Sequence, residues 1–393
     1  MSATPATARA PNPILPGMTT GPWFEPEEYR ARIARVQAAL RARGCDALLA
    51  FQPESVTWLT GFFTRGYTSF QFALVPAEGE PAVLCRDVAR YYLDATCVFA
   101  DTATWSDGDD RFAVAARFLQ RRVARDARLA VELSAWQLDA ARWARLRTAL
   151  PGCDVVDAQD LVGGLRLIKS PTEIAYQRRA ARAAEAGMAA AAATARSGVS
   201  EREVAAEIAA AMIRAGSDHP GPGPLSSGER ALHLHGGFTD RILATGDTLQ
   251  CECTPAVRNY HARFMRTLKI GRATDAERRK LETIVAIQDA ALAAVRPGAT
   301  AAEADRIYRD GILGAGLRKD YTNKTFYSIG LMMPPVDGEA LEAAPGAGWR
   351  FEVGMVLHTY VLADGFGFSE TIAVTPGGHE KLTLYPRTLI VTD

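Results

Sequence analysis

The chain has 393 residues, 45 Lys and Arg against 45 Asp and Glu, and a hydrophobic fraction of 48%. Balanced charge excludes nucleic acid and anionic membrane as the main partner on electrostatic grounds, and the apolar fraction suffices for a sizeable core in two domains. No run of about 20 apolar residues offers a membrane span. The six cysteines (45, 85, 97, 153, 251 and 253) form neither a CxxC pair nor a disulfide-dense pattern, which points to free thiols in a reducing cytoplasm.

The opening residues, 1–20, are rich in small side chains and Pro and lack the charged-then-apolar order of a signal peptide, so they read as a flexible arm. Residues 26–43 place Ile33, Val36, Ala39 and Leu40 on a helical face behind a Pro and two acids, and Gly44 ends the helix. CDALLAF predicts a short apolar strand, ESVTWLTGFF a strand and turn, and FQFALVPAEGEPAVLC a hairpin about a Glu-Gly turn. Helices are predicted over about 109–125 and 135–149, with the strand RLAVEL between them. Strands alternating with helices indicate an α/β layer up to residue 165. Arg65, in GFFTRGYTSF, falls on a loop between strands, where a solvated arginine is the plain reading.

The texture changes at residue 165, where a domain boundary is placed. Ser170-Pro171-Thr172-Glu173 opens a long Ala-rich helix that ends near Gly198, and Ser200 with Glu203 forms a capping box for a second helix that stops at Gly216. A Gly- and Pro-rich loop follows over 217–229. Two further helices are predicted over 274–295 and 300–316. Two helix pairs, each feeding antiparallel strands, suit a duplicated α+β layout.

Between the pairs lies GDTLQCECTPAVRNYHARFMRT, residues 246–267. It reads as a strand, a bend at Pro-Ala-Val-Arg-Asn, and a return strand from about Tyr260 to Leu268. Alternate residues share a face, so His261, Arg263 and Met265 fall together and the register can place them opposite Glu252. A carboxylate, an imidazole and a guanidinium on one buried face call for partners or a function. A solvated surface ribbon is the competing reading.

KSPTEIAYQRRAA, the Gly-Asp hairpin ending in RT, FYSIG, GMVLH and SETIAVTPGGHEKLT stand in the order and spacing of the creatinase/aminopeptidase "pita-bread" superfamily, which this chain resembles beyond its N-terminal arm. The resemblance implies a creatinase-type α/β N-terminal domain over 21–165 and an α+β pita-bread catalytic domain over 166–393. The peptidases of that family hold two metal ions with two Asp, one His and two Glu. The matching positions here are Glu252, Arg263, Tyr327, Tyr360 and Ser369, a set unable to neutralise paired cations. The expectation is therefore a protein without metal or other cofactor.

Creatinase and ectoine hydrolase resemble the peptidases yet work without the metal pair. His235, eleven residues before Gly246, matches the catalytic histidine position, with His233 two residues earlier as the alternative. The ectoine hydrolase group is similar at Glu252, at Tyr260–Ala262, in YSIG, in the PPxxGE stretch from Pro334 to Glu339, and in GMxxH ending at His358. Val336-Asp337 and Arg263 depart from it, and creatinase's catalytic glutamates would fall on Met265 and Ser369.

The resemblance implies hydrolysis of a C–N bond in a small amino-acid-like compound, with Glu252 as base or nucleophile and His235 as proton shuttle. Arg263 would clamp a substrate carboxylate, and Tyr327 and Tyr360 would donate to developing charge. His358 serves chemistry or support. Glu370 anchors Arg263, meets a substrate cation, or is buried as an ion-pair partner. His261 and Arg65 complete the candidate substrate contacts, the latter within a homodimer whose N-terminal domain overhangs the partner's pocket. The aromatic loop 61–72, too apolar for water on its own, supports that expectation. A metallopeptidase and a non-catalytic binding protein are the other readings.

Overall fold

The computed structural model describes residues 21–148, 150–219 and 221–393, so the arm assigned to residues 1–20 lies outside the described residues. Two compact units result, one ending at Leu165 and one running from Arg166 to Asp393. The first carries α1 (Pro26–Ala42), β1 (Ala47–Ala50), α2 (Pro53–Thr60), β2 (Phe72–Pro76), β3 (Ala82–Arg86), α3 (Arg90–Thr96), β4 (Asp101–Trp105), α4 (Arg111–Gln120), β5 (Arg128–Val131), α5 (Ala140–Arg147) and β6 (Asp154–Asp157). Its six strands lie in the order β4-β3-β2-β1-β5-β6. The hairpin β2–β3 is antiparallel, whereas β5 runs parallel to both β1 and β6. Packing of Phe72, Leu74 and Val131 against Phe112, Phe118 and Leu146 buries one sheet face beneath α4 and α5.

Two expectations fail here. Residues 53–60 form a helix, not a strand and turn. Pro53 occupies its first turn, Glu54 favours the positive end of the dipole, and Gly61 caps it at φ +78°. Every residue of α2 is buried, so it shows no amphipathic stripe to betray its period. The loop after it does not leave its aromatic rings to water: Phe62, Phe70 and Phe72 are buried, with Phe70 set 5.0 Å from Phe112 in the same unit. The apolarity of that stretch is satisfied by its own domain and carries no argument for a partner subunit.

A short α6 (Leu161–Arg166) precedes the C-terminal unit. That unit contains α7 (Pro171–Thr194), α8 (Glu201–Arg214), β7 (Leu225–Ser227), β8 (Thr248–Cys253), β9 (Ala256–Val257), β10 (Tyr260–His261), β11 (Phe264–Ile270), α9 (Asp275–Ala293) and α10 (Ala301–Gly314). β12 (Phe326–Ser328), β13 (Glu342–Ala343), β14 (Val356–Ala363), β15 (Phe366–Thr375), β16 (Gly378–Lys381) and β17 (Ile390–Thr392) complete it. The reciprocal bonds of a capping box fix the start of α7 at Ser170 and Glu173, and the same device sets Thr274 and Glu277 at α9.

The duplicated layout is present. Helices α7 and α8 pack Ala184, Met188, Val204 and Ile208 on a sheet of order β17-β11-β8-β7. Helices α9 and α10 pack Ile284, Leu292, Tyr308 and Ile312 on a sheet of order β13-β12-β14-β15-β16. Side-chain hydroxyls of β15 reach across to β11 and join the halves, with Ser369 Oγ accepting from Met265 N at 2.6 Å.

Candidate functional site

Where the two sheets meet, a cleft of about 590 Å³ opens, lined by residues of the C-terminal unit. β8 contributes Glu252 and β11 pairs Met265 directly opposite it. Arg263 lies just before β11, while Tyr327 comes from β12 and His358 and Tyr360 from β14. The two-residue period puts His358 and Tyr360 on one face, where their rings stack with centroids 5.4 Å apart and planes 7° apart. Tyr327 stands edge-on to both, 5.1 Å from His358 and 5.8 Å from Tyr360.

Polar groups converge here without partners. Glu252 is only 8% exposed, its Oε1 makes no hydrogen bond, and the nearest cationic candidate is His358 Nε2 at 3.9 Å. Both ring nitrogens of His358 and the Nε of Arg263 are likewise buried and unpartnered. Buried polar atoms are nearly always bonded, so several orphans in one cleft mark the place of a ligand. Burial pushes the Glu252 carboxyl above the usual carboxylate range, and Arg263 offsets only part of that. Burial, then the charges of Arg263 and Lys324, hold His358 well below its ordinary value and keep it neutral. For Arg263 burial acts to lower the value, but Tyr327 and Glu252 outweigh it.

Arg263 Nη1 donates to Tyr327 Oη at 2.9 Å, and Nη2 lies 3.7 Å from the exposed Asp337. Asn323 Nδ2 donates to Tyr360 Oη at 3.3 Å. Each phenol oxygen thus accepts from the protein, which leaves its O–H free to donate to a ligand. His235 lines the cleft mouth as an exposed residue at φ +65°, an uncommon conformation for a side-chain-bearing residue and one that gathers at functional sites. His233 is exposed and does not line the cleft.

Three candidates lie elsewhere. The expected return strand divides: Tyr260–His261 pairs with β9 around Arg258 and Asn259 at positive φ, and the ladder to β8 begins only at Phe264. That detour breaks the period, so His261 leaves the Glu252 face. Its Nε2 meets Met332 O at 3.2 Å and its ring lies 5.2 Å from His219. Glu370 does not reach Arg263; it accepts from Arg266 Nη2 at 2.7 Å, both side chains being fully buried. Arg65 is an exposed loop residue of the N-terminal unit and is not among the cleft residues. Lys324, Glu339 and Glu342 line the cleft without having been singled out as site residues. Glu339 pairs with Lys169, 170 residues away, and Glu342 with Lys324, 18 residues away, separations that no helix or strand spacing signals.

The two-unit fold and this cleft define a member of a hydrolase family. The description "Metallopeptidase family M24" matches residues 175–376 and "Creatinase/Prolidase N-terminal domain" matches residues 32–168, and the chain belongs to this family. It is 30% identical to the "Uncharacterized hydrolase/peptidase y4tM" of Sinorhizobium fredii over 94% of this chain and 99% of that protein. It is 26% identical to ectoine hydrolase of Halomonas elongata (94% of this chain, 98% of the relative) and 27% identical to creatinase of a Bacillus strain (94% of each). The crystal structure of dipeptidase PepE from Mycobacterium ulcerans superposes with a TM-score of 0.81 at 26% identity, covering 94% of this chain and 99% of that one.

A metal pair does not fit the residues present. Among the described residues no three His, Cys, Asp or Glu side chains converge as a ligand group. Glu252 is the sole carboxylate at the five matching positions, and Arg263 brings a fixed positive charge among them. Burial drives the Tyr327 and Tyr360 phenols upward, so they are neutral donors and not phenolate ligands. The Ser369 hydroxyl is occupied by the Met265 N–H. Paired divalent ions need several anionic oxygens.

Proposed function

We propose that this chain is a metal-independent hydrolase of a C–N bond in a small amino-acid-derived compound, of the ectoine type: a cyclic or N-substituted amidine bearing a carboxylate. The observation that carries this reading is the set of unpartnered buried atoms, Glu252 Oε1, Arg263 Nε and both nitrogens of His358, inside one cleft. They ask for a ligand with both an anion and N–H donors. The Arg263 fork takes the carboxylate. The aromatic lining of Tyr327 and Tyr360 suits a planar cationic group.

Glu252 removes a proton from water as its oxygen adds to the amidinium carbon. A raised carboxyl pKa brings the base closer to the working pH. The O–H groups of Tyr327 and Tyr360 donate to the added oxygen as it becomes the amide carbonyl. His235 carries the proton held by Glu252 on to the departing nitrogen as the C–N bond breaks, and Glu252 takes the remaining proton of the added oxygen, which leaves an amide and a free amine. The creatinase route is disfavoured, because Met265 and Ser369 stand where its glutamates would be and Ser369 is already bonded to Met265 N.

The test is turnover of ectoine, creatine and Xaa-Pro dipeptides with and without a chelator, alongside elemental analysis of the purified chain. Amine release from ectoine, unchanged by chelation, supports the reading. Dipeptide cleavage that needs two metals per chain overturns it. Calorimetric binding of ectoine without turnover would assign a binding protein instead.

A further inference from the structure

The segment Ser369-Glu370-Thr371 on β15 grips β11 and the residue just before it at three points. Ser369 Oγ accepts from Met265 N at 2.6 Å. Glu370 Oε1 accepts from Arg266 Nη2 at 2.7 Å, and Arg266 Nη1 adds a 2.9 Å bond to the Ser369 carbonyl. Thr371 Oγ1 does more: it accepts from Arg263 N at 2.8 Å and donates its own hydrogen to Arg263 O at 2.8 Å. One hydroxyl thus holds both backbone groups of a single residue.

Arg263 needs that grip because it lies beyond the ladder. The last β8–β11 pair is Cys253 with Phe264, so regular strand pairing stops one residue short of Arg263. Thr371 is itself fixed, paired with His358 on β14 and donating N–H to Thr383 Oγ1 at 3.2 Å. The guanidinium is therefore held at its root by Thr371 and at its tip by Tyr327, with the buried Nε–H left unpartnered.

We propose that Thr371 is a positioning residue for Arg263: its hydroxyl fixes the main chain from which the guanidinium reaches into the cleft, and a substrate anion meets a preset donor. It rests on the reading of Arg263 as the substrate clamp. Preset donors spare binding the loss of rotamer freedom, so misplacement acts on affinity before it acts on chemistry.

Thr371→Val removes the hydroxyl at nearly constant shape, Thr371→Ala removes it with less bulk, and Thr371→Ser retains it. KM should rise about tenfold or more in the first two, since a charged hydrogen bond is then misaligned. Changes in kcat should stay within about threefold, and Ser should recover most of the loss. Equal behaviour of Val and Ser, or loss in kcat and melting temperature without a KM effect, overturns the proposal. A second readout needs no substrate: the NMR signal of the Arg263 Nε–H, assigned by its disappearance in Arg263→Lys. It should move or broaden in Thr371→Val and Thr371→Ala and stay in place in Thr371→Ser; an unmoved signal in the first two overturns the proposal. A wild-type chain that turns over none of the compounds above sinks the activity, and the NMR signal then decides the positioning role alone.

Discussion

Glu252 is the residue on which activity and stability pull in opposite directions. Its carboxyl is raised by burial in the folded chain, so folding favours the protonated form. That contribution is fully present below the unfolded value and is lost as pH rises through the folded one. Glu252→Gln should therefore melt higher than the wild type near neutral pH, and the gap should close in acid, as thermal melts across pH will show. The same change should lower turnover by about 10²–10⁴-fold, the usual contribution of a positioned base. Arg263→Lys should raise KM by one to two orders of magnitude, because a lost bidentate charged bond costs about 1.5–3 kcal/mol. Turnover and melting should move little. An unaltered KM with a lowered melting point would make Arg263 a structural cation.

At the level of elements, the decisive feature is the junction between β11 and β15. Arg266 and Glu370 are fully buried and bonded at 2.7 Å, with Arg387 Nε a further 3.4 Å from the same carboxylate. Such a pair adds little over well-packed apolar residues, yet removal of one member strands the other. Glu370→Leu should cost about 3–5 kcal/mol in denaturant unfolding, whereas the double change Arg266→Met with Glu370→Leu should recover much of that loss. Equal losses in single and double variants would show that shape, not charge, holds the junction.

For the whole molecule, a homodimer remains our proposal, on the resemblance to creatinase and not on the aromatic loop. Light scattering should give about twice the chain mass of 42.4 kDa, and a fully active monomer would refute it. All six cysteines are free, and among the described residues no helix is long and apolar enough to cross a membrane.

Local signals in the sequence were enough to place the helices that frame the catalytic unit. Ser170 with Glu173 marks the start of α7, although that helix stops at Thr194, four residues before Gly198. Ser200 marks the start of α8 and Gly216 its end, because capping and period are set by neighbours along the chain. A strand and a return strand that could face Glu252 with His261, Arg263 and Met265 were legible for the same reason, as a pattern of period two. Of these three, the ladder pairs Met265 with Glu252. Where the chain departs from local rules, the tertiary structure decided. Full burial hid the period of α2, and the β9–β10 detour removed His261 from the site. Glu370 went to Arg266 because that guanidinium, 104 residues away, lies across the junction. The raised carboxyl of Glu252 and the neutrality of His358 come from burial and from the charges of Arg263, Asp337 and Lys324, which lie on three separate segments. Desolvation is a property of the folded interior, so no spacing along the chain could announce it.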